Sequence, residues 1–310
     1  MISDSRNKKK VNLFIRNFLE RIELLFGYFF VFKLRSIKID KILPDYTSYN
    51  ETGDDFAIVM QGPVIKKAGF TSETLKLYRK VYPGIKIILS TWKDTDPAII
   101  EEISKLNIRI LQSELPAFPG DSNINYQLKS TIAGLQSLDE SKVKYVLKTR
   151  TDQRIYSASD YLKFMAGILE SFPVSSVHLK KRLVVSNLNM FRNRKYTVSD
   201  MFMFGTLSDM KLFWDVPFQV EVKTEDKNKE FYENMLAEAH FTGYFFRNIG
   251  FVPEKTLADS DRFLSMNFYV IDKNVLDLFW YKYNHTYERN TMIVDDKKDR
   301  PYSTLDWHPL

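Results

Sequence analysis

The chain has 310 residues, a hydrophobic fraction of 44% and no cysteine, so it can fill a sizeable core and excludes a disulfide framework and thiolate zinc sites. Its formal charge is +6, and ten cations against four anions place that whole excess in residues 1–41. The remainder is close to neutral, which argues against a basic nucleic-acid-binding body.

Residues 11–32 are predicted to form an amphipathic helix. Phe14, Ile15, Phe18, Leu19, Ile22, Leu25, Phe26 and Phe29 recur at helical spacing, while Arg16, Asn17, Glu20 and Arg21 take the other face. Basic residues flank it at Lys8, Lys9, Lys10, Lys33 and Arg35. An aromatic apolar face with basic flanks suits the interface of an anionic membrane; packing on protein is the alternative. The apolar run 24–32 falls short of the ~20 residues that span a bilayer and has no cleavage site after it. Residues 36–54, with Pro44 and Gly53, read as a linker. This divides the chain into residues 1–54 and a body of 55–310.

The body alternates strand and helix. Strands are expected at 56–60, 85–89, 108–111 and from Tyr145. Helices are expected from Thr71 or Ser72 to about Tyr82, from Asp96-Pro97 to near Leu106, and from Asp121 or Ser122 to near Leu138. Such alternation predicts an α/β fold with a mostly parallel, Rossmann-like sheet. Further on, 158–172, 207–214 and 231–248 read as helices, 183–186 and 197–204 as strands, and 223–229 as a charged loop. The tail from Phe268 is rich in aromatics.

The segment Lys144–Ile155, K-Y-V-L-K-T-R-T-D-Q-R-I, is an apolar strand that ends abruptly in charge. In an open α/β sheet, ligands gather beyond the carboxyl ends of the strands. Arg150 and Asp152 alternate there and point the same way in an extended chain. They suit a diphosphate, a metal ion or a sugar hydroxyl; a surface ion pair is the plain alternative. On the third helix Asn123, Gln127, Ser130 and Gly134 form an uncharged stripe where lysine and glutamate are usual. That stripe is expected to approach something polar.

No G-x-G-x-x-G, P-loop, G-x-S-x-G or H-E-x-x-H motif occurs, and the four histidines have no ligand spacing. Asp94-Thr95-Asp96 and Asp259-Ser260-Asp261 are weak candidates for a cation bridging a diphosphate, since Asp96 already has a capping position. Asp152 sits in the better place, with Arg150 where a partner carboxylate is usual; a guanidinium neutralises phosphate without metal.

The blocks I-V-M-Q-G-P (58–63), I-I-L-S-T-W (87–92), N-x-Q-x-x-S (125–130) and L-K-T-R-T-D-Q-R (147–154) together resemble the WavE lipopolysaccharide-synthesis family over about residues 55–215. That family looks like GT-A-type glycosyltransferases building surface polysaccharide. The resemblance implies a GT-A-like mixed sheet flanked by helices, and a nucleotide-sugar donor over its first half. It implies that Gln61, Gly62 and Pro63 line the nucleotide with Trp92 nearby. Asn125, Gln127 and Ser130 would face the donor, and Arg150 and Asp152 would stand in for the metal-binding motif. A standard GT-A enzyme has two acidic residues there, so Mg2+ or Mn2+ at Asp152 is set against no metal at all. An inverting transfer also needs a base opposite the departing nucleotide. Glu238 is the first candidate and Asp200 the second, with Asp152 as a further catalytic candidate. A solvated helix position is the plain alternative for Glu238, and a buried, backbone-satisfied carboxylate for Asp200.

The expected activity is transfer of a sugar from a nucleotide-sugar to a lipid-linked lipopolysaccharide or capsule glycan, by a protein peripheral on the inner face of the cytoplasmic membrane. Two alternatives stand beside it. One is a metal-dependent nucleotidyl- or sugar-phosphate transferase of the same fold. The other is a non-catalytic membrane-associated scaffold for glycan assembly.

Overall fold

A computed structural model describes residues 17–19, 21–23, 25, 27, 35–39, 48, 49, 51–221, 237–281 and 301–307. The predicted loop 223–229 and most of the predicted helix 11–32 lie outside these residues; 17–19, 21–23 and 25 are helical. Contacts divide the chain into Met1–Ser36 and Ile37–Leu310. No helix among the described residues is long and apolar enough to cross a membrane.

The larger unit is built on one seven-stranded sheet of order β3-β2-β1-β4-β7-β6-β8. Its strands are β1 (Phe56–Gln61), β2 (Lys86–Trp92), β3 (Arg109–Ser113), β4 (Tyr145–Arg150), β6 (Leu183–Ser186), β7 (Met203–Thr206) and β8 (Phe268–Ile271). β1 to β4 run parallel, β7 runs antiparallel to both β4 and β6, and β6 and β8 are parallel. A separate ribbon pairs β5 (Gln153–Ile155) with β9 (Leu278–Trp280). The sheet is therefore mixed and mostly parallel, as the alternation predicts.

Period-two patterning divides the core between the two sheet faces. Ala57, Val59 and Val146 join one apolar cluster, while Ile58, Met60 and Leu147 join the other. The first cluster packs α3 (Ile124–Gln136), α5 (Leu207–Phe213), α6 (Ala237–Asn248) and α7 (Leu257–Asn267). The second packs α1 (Phe70–Val81), α2 (Pro97–Ser104) and α4 (Tyr161–Ser171). Burying both faces is what a parallel sheet requires.

Several boundaries differ from the sequence expectation. Helix α1 starts at Phe70 behind a left-handed Gly69, so neither Thr71 nor Ser72 caps it. The Thr71 hydroxyl instead donates to the Thr151 carbonyl at 2.9 Å. Asp96 does cap α2, accepting from the Ala98 amide at 3.1 Å with Pro97 in the first turn. The strand expected at 197–204 is confined to β7; residues 197–202 are irregular. The expected linker is partly stitched to the body. Tyr49 donates to the Ala158 carbonyl at 2.6 Å, and the Ile39 amide donates to Glu73 at 2.8 Å. The aromatic tail supplies core: Phe268, Tyr302 and Trp307 are buried.

Candidate active site

β1, β2 and β4 are parallel neighbours, so their carboxyl ends arrive together. Gln61 lies opposite Arg150 in the β1–β4 register and opposite Ser90 in the β1–β2 register. Beyond them opens a cleft of about 1070 Å3. Gln61, Gly62, Pro63, Trp92, Gln127, Arg150, Asp152, Asp200 and Glu238 all line it.

The Gln-Gly-Pro turn is fastened to the end of β4. The Thr151 amide donates to the Gln61 carbonyl at 3.0 Å, and the Thr151 hydroxyl donates to the Pro63 carbonyl at 2.7 Å. Gly62 adopts φ 118°, and a Cβ there would lie 3.0 Å from the Thr151 hydroxyl. The conformation and the close approach both demand glycine.

Arg150 and Asp152 form a two-pronged ion pair. Nε donates to Oδ1 at 2.9 Å and Nη2 to Oδ2 at 3.1 Å. Trp280, at the end of β9, donates its indole N–H to the same Oδ2 at 3.0 Å. Burial works against the Asp152 charge, but Arg150 and Trp280 overcome it and hold its carboxyl below the usual range. Both oxygens are thus engaged. Among the described residues no group of three His, Cys, Asp or Glu side chains is arranged to hold a metal ion. A cation at Asp152 would have to compete with Arg150 and Trp280 for its oxygens. Of the other acidic candidates, Asp94 lines the cleft. Asp96 caps α2, while Asp259 accepts from Tyr196 and Arg262.

The polar residues of the α3 region take separate places, and Asn123, at its N-cap, lines the cleft. Gln127 lines the cleft and donates to Asp200 Oδ2 at 2.5 Å. Ser130 is buried behind the wall and donates to Gln61 Oε1 at 2.7 Å, so it orients the turn instead of facing the cleft. Asn125 is buried as well. Its amide donates to the Phe118 and Gln219 carbonyls at 3.0 and 2.8 Å, and its oxygen accepts from the Gln219 amide at 2.8 Å. Asn125 fastens two loops and does not line the cleft, contrary to the expectation that it faces the donor. Gly134 serves packing: a Cβ there would lie 2.3 Å from Val59 Cγ1.

The two candidate bases face each other. Asp200 comes from the stretch before β7, and Glu238 from the first turn of α6. Glu238 is buried, accepts from the Asn189 amide, and is pushed up to about 7 by burial and by the Asp200 charge. A buried carboxyl beside a second carboxyl titrating near neutrality has the properties of a general base.

Sequence reasoning did not find Trp280, Asn189, Tyr126 or Lys148. Trp92 and Tyr126 meet edge to face at 5.7 Å in the cleft wall. Lys148 is fully buried and donates to the Asp200 carbonyl. A lysine inside an otherwise apolar strand is the one signal here that was visible in the sequence.

A family model for WavE lipopolysaccharide synthesis matches residues 56–249. The chain belongs to the WavE family. The WavE match runs from β1 through α6, so it includes every cleft residue named above except Trp280. No curated protein matches the chain. Among solved structures it is similar to 4-diphosphocytidyl-2C-methyl-D-erythritolsynthase from Anaerococcus prevotii, at 14% identity over 71% of this chain and 89% of that one, with a TM-score of 0.39. It is also similar to S. aureus TarS, at 16% identity over 63% of this chain and 34% of that one, TM-score 0.38. A third likeness is to a glycosyltransferase involved in glycosylating the major capsid of PBCV-1, at 11% identity over 70% and 81%, TM-score 0.32. These likenesses are too distant to bear on the chemistry of a WavE protein.

Proposed function

We propose that this WavE-family chain is a GT-A-like glycosyltransferase of lipopolysaccharide or capsule synthesis. It moves a sugar from a nucleotide-sugar donor to a glycan acceptor at a membrane surface. The observation that carries this reading is one cleft with two unlike walls. One wall joins the Gln-Gly-Pro turn to the Arg150–Asp152 pair, and the other carries Asp200 and Glu238.

The first wall suits a nucleotide diphosphate. Arg150 offers a guanidinium braced by Asp152, and Trp92 and Tyr126 offer flat faces. The second wall suits proton removal. As the acceptor oxygen bonds to the anomeric carbon, the bond from that carbon to the phosphate oxygen breaks. The acceptor proton passes to Glu238, and the departing charge develops near Arg150. Asp200, held by Gln127, keeps the Glu238 pKa near the working range. A nucleotidyl- or sugar-phosphate transferase would need carboxylates holding Mg2+, so it predicts nucleotide binding that depends on added cation.

The membrane part of the proposal rests on the basic, aromatic N-terminal segment, in which Phe18 and Leu25 are exposed. A surface-bound enzyme meets a lipid-linked acceptor at raised effective concentration.

The test is thermal unfolding of the full chain with UDP, GDP and CMP and their sugar conjugates. One nucleotide class is expected to raise the melting temperature in the wild type and to lose that effect in R150M. If no nucleotide stabilises the protein, the glycosyltransferase assignment fails and the scaffold reading takes its place.

A further inference from the structure

Lys148 has 0% exposed surface and lies in β4, between β1 and β7 near the middle of the sheet. Its ammonium donates to the backbone carbonyl of Asp200 and sits 4.6 Å over the Trp214 ring. Among the described residues that carbonyl is its only hydrogen-bond acceptor. An ammonium placed there gives up its hydration, a cost that a leucine at the same position would not carry. Lys148 makes no direct contribution to the cleft surface, so the mechanism above leaves it unused.

Its position has one evident effect. Asp200 lies outside the strands, and side chains help hold it in place. Two do so, from two elements. Lys148 reaches the Asp200 carbonyl from β4, and Gln127 reaches the carboxylate from α3. The charges also form a chain. Asp200 and Asp152 attract the Lys148 ammonium, while Arg150 repels it. On the cleft side Asp200 repels the Glu238 carboxylate, Asn189 donates to it and Arg194 attracts it.

We propose that Lys148 is a positioning residue for the carboxyl pair: from the core side it pins Asp200 and balances the Asp200 charge that Glu238 feels. This rests on Glu238 being the base. It extends that assignment inward, making the base the outer end of a row of three charged groups. Desolvation drives Lys148 down to about 7 with Asp200 resisting, and burial with Asp200 drives Glu238 up to about 7. Lys148 and Glu238 thus titrate in the same range, linked through the Asp200 charge.

Two reciprocal titrations on the full chain test the coupling without any substrate. Glu238 is followed by the carboxyl infrared band that disappears in E238Q. Lys148 is followed by NMR of lysine-labelled protein, through the resonance missing in K148M. In K148M the Glu238 midpoint is expected to rise by about one pH unit. In K148Q, which keeps a donor but no charge, it rises likewise. In D200N the Lys148 midpoint falls by a comparable amount. If K148M and K148Q do not fold, the D200N arm decides, because it alters the cleft wall and leaves the core intact. An unmoved midpoint in any folded variant overturns the proposal. The nucleotide panel is independent of these titrations. Its failure with the shifts present sinks the glycosyltransferase reading alone, and nucleotide binding with no shifts sinks the Lys148 role alone.

Discussion

Trp280 donates its indole N–H to Asp152 Oδ2 at 3.0 Å, joining the end of β9 to the end of β4 on the cleft floor. The same oxygen accepts from Arg150 Nη2 at 3.1 Å, so Trp280 helps fix the guanidinium that faces the cleft. W280F removes one hydrogen bond to a charged acceptor and is expected to cost about 1–2 kcal/mol in urea unfolding. D152N leaves Arg150 without its counter-charge. Arg150 keeps 25% side-chain exposure, so the expected cost stays near 2 kcal/mol, below that of a fully buried pair. Both variants are expected to weaken nucleotide binding, and D152N to abolish transfer. Wild-type turnover in D152N removes Asp152 from the site.

Nucleotide binding is expected to survive EDTA. Asp152 is braced by Arg150 and Trp280, and the described residues offer no three-ligand site. Calorimetric titration of the stabilising nucleotide, with and without chelator, checks this. Binding that appears only when Mg2+ or Mn2+ is added reinstates a cation bridge.

Glu238 titrates near 7 in the fold against 4.5 for an unperturbed glutamate. Between those values the folded protein holds a proton that the unfolded chain has lost. The stability this confers is fully present below the unfolded value and is lost as pH rises through about 7. E238Q cannot ionise, so from pH 6 to 8.5 its stability relative to wild type is expected to grow by roughly 1.4 kcal/mol. Its turnover is expected to fall by about 100- to 10,000-fold. Denaturation series at several pH values read the first effect. Parallel curves for the two proteins would show that Glu238 is not titrating in this window.

Helix α3 lies close on β1, because Gly134 leaves no room for a side chain against Val59. G134A is expected to destabilise by about 1–3 kcal/mol through overpacking. Adding V59A should return part of the loss by vacating the space. A double variant no better than G134A alone would mean that the helix, not Val59, absorbs the clash.

Deleting residues 1–35 is expected to leave the body folded and to release the protein from anionic vesicles. Sedimentation with phosphatidylglycerol liposomes measures this. Unchanged co-sedimentation of the shortened chain defeats the anchoring proposal.

The sheet was legible in the sequence because each early strand is a short apolar run closed by a turn signal, as with Phe56–Met60 before Gln61-Gly62-Pro63. The first wall of the cleft was legible for the same reason: parallel neighbours must deliver Gln61 and Arg150 to one rim. The uncharged residues of α3 announced polar contacts but not their partners. Ser130 meets Gln61, Gln127 meets Asp200, and Asn125 meets a loop near Gln219. Those partners lie far away along the chain, and local periodicity carries no information about them. Trp280 was read as one aromatic among many, since its meaning depends on a ribbon, β5 with β9, that pairs segments more than a hundred residues apart. The strand expected at Thr197 begins only at Met203, and Asp200 is instead held by Lys148 and Gln127.

The reversal of direction between β4 and β7 has an evolutionary consequence. Side chains between 61 and 152 build one wall, Asn189, Asp200, Met201, Ala237 and Glu238 the other, and the antiparallel seam lies between the blocks. Under the proposed reading, recombination at that seam exchanges acceptor preference while the donor half stays intact. Such a chimera would have to inherit residues 278–281 from the donor-half parent, because Trp280 returns across the seam to Asp152.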